Sequence, residues 1–194
     1  MRFRPRLIGV ALATILAATA CAGGQTDAGS GRAEGLELTT QGLGRHTIGA
    51  PYEDVRDDIA ARFGGWDVDS FEPNHNVHVP DCGGPTTRLL SWGNFIVLFS
   101  GPPDDLRLAT WTYGFNPLTG SGDDVRGLNL TTLQGVGLGA TAREIENAHG
   151  SDVSFEDAPA LDSVLVTIGN PSADHMSGRL ESGLVLLELE PTCD

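Results

Sequence analysis

Gly35-Leu-Glu-Leu-Thr-Thr40 returns later in the chain as Gly127-Leu-Asn-Leu-Thr-Thr132, and this echo decides the fold. Gly42-Leu-Gly44 then has a counterpart in Gly135-Val-Gly137, and Ile48-Gly49-Ala50 in Leu138-Gly139-Ala140. An acidic amphipathic segment follows each of these runs. Self-similarity at a long period means that each copy is one supersecondary unit. The expected class is therefore α+β, built as two tandem helix-plus-antiparallel-sheet repeats. Repeat 1 covers 36–118, a connector 119–126, and repeat 2 127–194.

The first helix is the better defined. Pro51 suits a first helical turn, where its missing N–H would have no partner anyway. Glu53 and Asp54 favour the positive end of the helix dipole. Tyr52, Val55, Ile59 and Phe63 fall on one stripe at spacings of three and four, and Gly64-Gly65 ends the run. In the second copy Thr141 opens a helix about one turn shorter. Ala142, Ile145 and Ala148 give its stripe, and Gly150 closes it. Strands follow. Arg88–Trp92 and Phe95–Ser100 flank Gly93-Asn94 and read as a tight hairpin. Leu106–Phe115 alternates as a further strand. Ser163–Ile168 and Leu184–Leu189 are the clear strands of the second copy.

The run Gly42-Leu-Gly44, Ile48-Gly49, Asp54-Val55 and Phe63-Gly64 resembles the repeat openings of beta-lactamase inhibitor protein. It also resembles those of the small lipoprotein of the outer-membrane barrel-assembly machine. It is most similar to a group of actinobacterial tandem-repeat lipoproteins, whose first copy continues with Cys-Gly, an Arg-bearing strand, a Trp-Gly turn and an apolar strand. Cys82-Gly83, Arg88, Trp92-Gly93 and Phe95–Phe99 stand there in this chain. A Met usually follows the Gly in the inhibitor-like repeats, and Ala50 and Ala140 take that place here. The resemblance implies a helix packed on antiparallel sheet and carries no catalytic residues.

Outward from the repeats, residues 21–35 are Gly, Ala, Ser, Thr, Gln and Asp with little else, the composition of a flexible tether. Before it, Arg2, Arg4 and Arg6 lead into the apolar run Leu7–Ala20, which ends in Ala18-Thr19-Ala20. A basic start, a short apolar run and a small-residue site read as an export signal over 1–20. Cys21 follows directly, which resembles the lipobox of bacterial lipoproteins, although Ala18 stands where that motif most often has Leu. The resemblance implies diacylglyceryl attachment at Cys21 and a lipid-anchored protein on the extracytoplasmic face of the cell membrane.

From Cys21 onward the chain carries nine basic and twenty-six acidic side chains, a net charge of −17 with His neutral. Such a surface repels nucleic acid, whose binding needs clustered cations. It also repels an anionic leaflet, so attachment has to come from lipid. All twelve non-histidine cations are Arg, a usage that fits GC-rich coding. Past the signal the cysteines are Cys82 and Cys193. Exported thiols tend to oxidise, and two cysteines allow one intramolecular bridge, Cys82–Cys193. The alternatives are two free thiols or a metal site.

His75, His78 and Asp81 form the densest set of possible metal ligands. A metal-dependent hydrolase centred on them is the rival to a non-catalytic binding module, but their spacing matches no zinc signature and a polar inter-strand loop explains them better. Gly135-Val-Gly137-Leu-Gly139-Ala140 has the outline of a dinucleotide loop with Glu156 about 20 residues on. The strands after it pair as hairpins, so tight turns account for these glycines better, and no cofactor is expected. His46, His149 and His175 read as surface or helix-end residues, and Asp57-Asp58 as solvated charge. Trp92, Trp111, Tyr113 and Phe115 are the candidate partner-binding residues. A strand apolar on both faces needs cover on both, and one helix per copy covers one side. Either loops and the other copy bury the aromatic face, or an envelope protein partner does.

Overall fold

The computed structural model describes residues 36–72, 86–115 and 126–190. Cys21, Cys82 and Cys193, and His75, His78 and Asp81, lie outside the described residues. Three two-residue strands come first: β1 (Leu38–Thr39), β2 (Gly42–Leu43) and β3 (His46–Thr47) form a small antiparallel sheet. Helix α1 (Tyr52–Phe63) follows, then β4 (Val68–Glu72), β5 (Thr86–Trp92), β6 (Phe95–Gly101) and β7 (Arg107–Tyr113). Helix α2 (Ala142–His149) leads to β8 (Val153–Ala158), β9 (Ser163–Ile168), β10 (His175–Leu180) and β11 (Leu184–Glu190). The last eight strands form one antiparallel sheet in the order β4-β5-β6-β7-β11-β10-β9-β8. The mixed helix and antiparallel-sheet class expected from the sequence is found, with two α-helices among the described residues.

Each quartet is a meander whose neighbours in sequence pair in space. The two quartets meet at their last strands, where Tyr113 opposes Leu187 and Thr112 opposes Glu188. The Thr110 hydroxyl donates to the carbonyl of Leu189 across the same seam. The segments that open the two halves also touch, through the Leu38 amide and the Thr131 carbonyl at 2.9 Å.

The Gly-Ala pairs before the helices have matching partners. The Gly49 amide donates to the Leu108 carbonyl and the Leu108 amide to the Ala50 carbonyl, at 2.8 and 2.9 Å. Gly139 and Ala140 make the same exchange with Leu184, at 2.7 and 2.8 Å. Each helix is thus set down beside the last strand of its own quartet. Arg126 ties the start of the second half to the first: it bonds the Asp67 carboxylate and the carbonyl of Phe63. Asp67 also accepts the Gly93 amide, and the Arg126 bonds hold its carboxyl below the usual range.

Helix α1 buries Tyr52, Val55 and Ile59, with Phe63 half-buried. Tyr52 meets Phe99 edge-on at 4.9 Å and Phe63 meets Phe95 at 6.5 Å. Helix α2 carries a reciprocal cap, with the Thr141 hydroxyl on the Glu144 amide and the Glu144 carboxylate on the Thr141 amide. Its stripe is thinner than the sequence implies: Ile145 is buried and Ala148 half-buried, but Ala142 faces solvent. The α1 side of the sheet and both helices make one core, in which Leu90, Phe99, Leu108, Val166, Ile168, Met176 and Leu187 join the helix residues. Burying a side chain of this size contributes about 1.5–3 kcal/mol. Leu89, Ile96, Leu98 and Ala109 form a second, smaller cluster on the other face.

Gly114 ends β7 where it approaches β11. Its φ is +131°, and a Cβ there would lie 2.2 Å from the Val185 carbonyl oxygen. Gly135 has φ +82° with open space around it. Gly114→Ala therefore breaks the seam and costs about 2–4 kcal/mol, against about 1 kcal/mol for Gly135→Ala, where the backbone alone objects. Urea unfolding of the two variants checks the order.

Candidate functional site

The aromatic face is a core and not a surface. Trp92 and Trp111 are 0 % exposed and Tyr113 2 %. The Trp92 indole donates to the Gly64 carbonyl at 2.9 Å, tying the end of α1 to β5. The Trp111 indole donates to the Gly42 carbonyl at 3.0 Å, tying the small sheet to β7. Both polar handles are therefore engaged inside the fold. A partner surface made of Trp92, Trp111 and Tyr113 is corrected on this ground. Phe115 lies past the end of β7 and is 44 % exposed, so it does not share their face. Leu89, Ile96 and Leu98 on the other face are buried as well, so both sides of β5–β7 are covered.

Polar groups gather in two clefts, one beneath each helix. The cleft at α1, about 460 Å³, is lined by Arg45, His46, Asp54, Asp57, Asp58 and Ala61. The sequence reading of His46 and Asp58 as solvated groups is corrected here: His46 is 7 % exposed, and its Nε2 lies 3.1 Å from Asp58 Oδ2. Arg45 and Arg62 reach the same carboxylate at 3.2 and 3.3 Å. Burial pushes the Asp58 carboxyl up, but the bonds from Arg62 and His46 and the charges of Arg62 and Arg45 outweigh it and hold it below the ordinary range. The cluster joins β3 to α1 across residues that no local pattern connects, which is why the sequence did not disclose it.

The cleft at α2, about 610 Å³, is lined by the glycine run 135–140 with Gln134, Glu144, Asn147 and Ala148. Glu144, Asn147 and Ala148 sit three, six and seven residues after Thr141, as Asp54, Asp57 and Asp58 do after Pro51. This is the run with the outline of a dinucleotide loop. A phosphate there would meet the Glu144 carboxylate, and the amides of Thr141 and Glu144 are already bonded within the cap. The fold around it is an antiparallel meander, without the parallel crossover that such a loop serves.

A third cluster lies on β10 and β11. Ser177 Oγ is 3.3 Å from Glu188 and His175 Nε2 is 3.4 Å from Glu190. The same Ser177 hydroxyl approaches Glu190 Oε1 at 2.5 Å. One hydroxyl proton cannot serve both carboxylates. Burial and the neighbouring Glu190 charge raise the Glu188 pKa, against the bond from Ser177. The contact to Glu190 is the shorter, so Glu188 is the less well satisfied of the two carboxylates. His149, at the end of α2, is held below its ordinary pKa by burial, opposed by Asp152.

Comparison with protein families, curated proteins and solved structures finds no match for this chain. The resemblances drawn from the repeats and from Cys21 accordingly stand on those residues alone. Among the described residues no three His, Cys, Asp or Glu side chains are grouped to hold a metal ion. The set His75, His78 and Asp81 lies outside them. Among the described residues no helix is long and apolar enough to cross a membrane.

Trp111→Ala should lower stability by about 3–5 kcal/mol, because it empties a core site and frees the Gly42 carbonyl. Chemical denaturation measures this, and an unchanged midpoint would contradict the assignment of Trp111 to the core. The carboxylates give opposite pH signatures. Asp58 has a depressed pKa, so its contribution is full above about pH 4 and is lost as pH falls through the folded-state value. Asp58→Asn should destabilise at pH 7 and approach the parent in acid. Glu188 has a raised pKa, so its ionised form weakens the fold as pH rises through that value. Glu188→Gln should stabilise at neutral pH and not in acid. Unfolding curves from pH 3 to 7 check both signs.

Proposed function

We propose that this protein is exported, acylated at Cys21 and held at the outer face of the cell membrane, where its body acts as a non-catalytic binding or structural module. The observation that carries the reading is the order of residues at the start: Arg2, Arg4 and Arg6, the apolar run to Ala20, Cys21, then a tether of small polar residues. Each buried acyl methylene contributes about 0.8 kcal/mol, and two chains hold a protein where one is marginal. The net charge of −17 from Cys21 onward makes lipid the reasonable means of attachment.

The body is two copies of one unit, each a Gly-turn, a helix and a four-stranded meander. The support is in matched detail. Gly49-Ala50 and Gly139-Ala140 exchange the same pair of hydrogen bonds with the last strand of their own quartet. The quartets then meet last strand to last strand, as two copies related by a two-fold axis would. The bridge Cys82–Cys193 belongs to the same proposal. β5 starts and β11 finishes toward the same end of the sheet, because β5, β6, β7 and β11 alternate in direction. That arrangement favours pairing of a cysteine before β5 with one after β11.

Intact-mass measurement and detergent partitioning of protein expressed in a bacterium test the anchor. The expected product begins at Cys21, carries acyl mass and enters the detergent phase. Cys21→Ser should be soluble and unacylated. A parent chain that keeps Met1 and stays in the aqueous phase would sink the proposal.

A further inference from the structure

The sheet ends on β4 at one edge and β8 at the other. An edge strand offers a row of backbone N–H and C=O groups to any extended chain, and proteins commonly guard such edges with charge. The two edges are guarded differently. At β4, Asp69 is neutralised by Arg88 of the adjacent strand, through two hydrogen bonds of 2.9 and 2.7 Å. At β8, Glu156 and Asp157 are exposed and, among the described residues, have no basic partner. Their cross-strand neighbours on β9 are Leu165 and Val164, which cannot neutralise them.

Among the described residues, nothing pairs with the outer edge of β8. Val153 and Phe155 point to the helix side and pack against the core but are only half-buried, whereas Ser154 and Glu156 point the other way and are exposed. A strand laid alongside β8 would complete the burial of Val153 and Phe155 with one set of its side chains and meet Glu156 with the other. Beyond the end of the strand, a hollow of about 400 Å³ at the β8–β9 turn is lined by Asp157, Asp162 and Glu181. The charge of this edge argues against a second copy of the chain. Antiparallel self-pairing would crowd four carboxylates, Glu156 and Asp157 of each copy, into one short ladder with no cation supplied by either strand, and like charges there repel.

We infer that β8 is the docking edge of the molecule, and that its partner is an extended cationic segment of another envelope protein, added as a ninth strand. The segment alternates apolar and basic residues. Its apolar side chains lie over Val153 and Phe155, its basic ones lie beside Glu156, and a cation at its end enters the hollow at Asp157 and Asp162. The inference rests on the reading of the body as a binding module and names the edge and the partner chemistry.

The probe is the blocked hexapeptide Val-Arg-Val-Arg-Val-Arg, with Val-Glu-Val-Glu-Val-Glu as its control, titrated calorimetrically into the protein. Amide hydrogen exchange is followed residue by residue. The cationic peptide should bind and slow exchange within 153–158, and the acidic one should not. The variant Glu156→Gln/Asp157→Asn, whose fold is verified by its unchanged unfolding midpoint, should bind the cationic peptide about threefold to tenfold more weakly. Raising the salt to 0.5 M, about a 4–5 Å screening length, should weaken the parent toward the variant. With peptide present, four results overturn the inference: no binding, equal binding of the two peptides, protection confined to other strands, or an unaffected variant. A concentration-dependent dimer that protects 153–158 without peptide overturns it in favour of self-pairing. These outcomes are separate from acylation: failure of the Cys21 test leaves the edge untouched, and failure of the peptide test leaves the anchor untouched.

Discussion

Everything in this structure depends on the seam between β7 and β11. Among the described residues, only there do the two strand quartets share a ladder, through the Tyr113–Leu187 and Thr112–Glu188 pairs. The seam turns two four-stranded meanders, each too small to bury much apolar surface, into one eight-stranded sheet under two helices. A four-stranded sheet with one short helix would leave Trp111 and Tyr113 at its margin; pairing with β11 puts them in the middle. Close approach of the backbones at Gly114 is the geometric condition for this, since any Cβ there would run into Val185.

A second layer of hydrogen bonds fixes the helices relative to that sheet. The Gly-Ala pairs before α1 and α2 dock on β7 and β11, and the two indoles of the core hold Gly42 and Gly64 from inside. The buried polar groups of the aromatic core therefore work as anchors for the turns. Surface charge is organised differently in the two halves. In the first, Asp58, Asp67 and Asp69 are all engaged by arginines. In the second, the carboxylates of β8 have no cation among the described residues, and burial and Glu190 push Glu188 toward its neutral form. A chain so acidic cannot neutralise all its carboxylates with nine arginines, and the excess is larger in 127–194, with two arginines to eleven acids, than in 36–118, with five to eleven.

Much of this was legible along the chain because it is local. Helix α1 follows from the spacing of Tyr52, Val55 and Ile59, its stop at Gly64 from a residue without Cβ, and the β5–β6 hairpin from Gly93-Asn94 between apolar arms. The start of α2 follows from Thr141; its reciprocal cap with Glu144 is seen in the structure. Strands β4, β8 and β10 were not legible. Val68–Glu72 and Val153–Ala158 are half-polar edges, and His175–Leu180 carries Gly178 and Arg179; each is a strand because a neighbour supplies its ladder. The strand in Leu106–Phe115 carries an irregularity that simple alternation does not reveal. The register shifts beside Ala109, which puts Leu108 on the same face as Trp111.

The sequence by itself determined the class of fold, the two helices, the central hairpin and the repeated Gly-Ala docking motif, because these depend on propensity and short-range period. It determined the charge balance and the chemistry of the start too: the acidic excess, the apolar run 7–20, the cysteine behind it. Tertiary structure alone decided that Trp92, Trp111 and Tyr113 face inward, that His46 meets Asp58 under α1, and that β8 ends the sheet with, among the described residues, no cation beside Glu156 and Asp157. Burial and ion pairing are relations between residues far apart in the chain, and they exist only once β7 and β11 have closed the sheet.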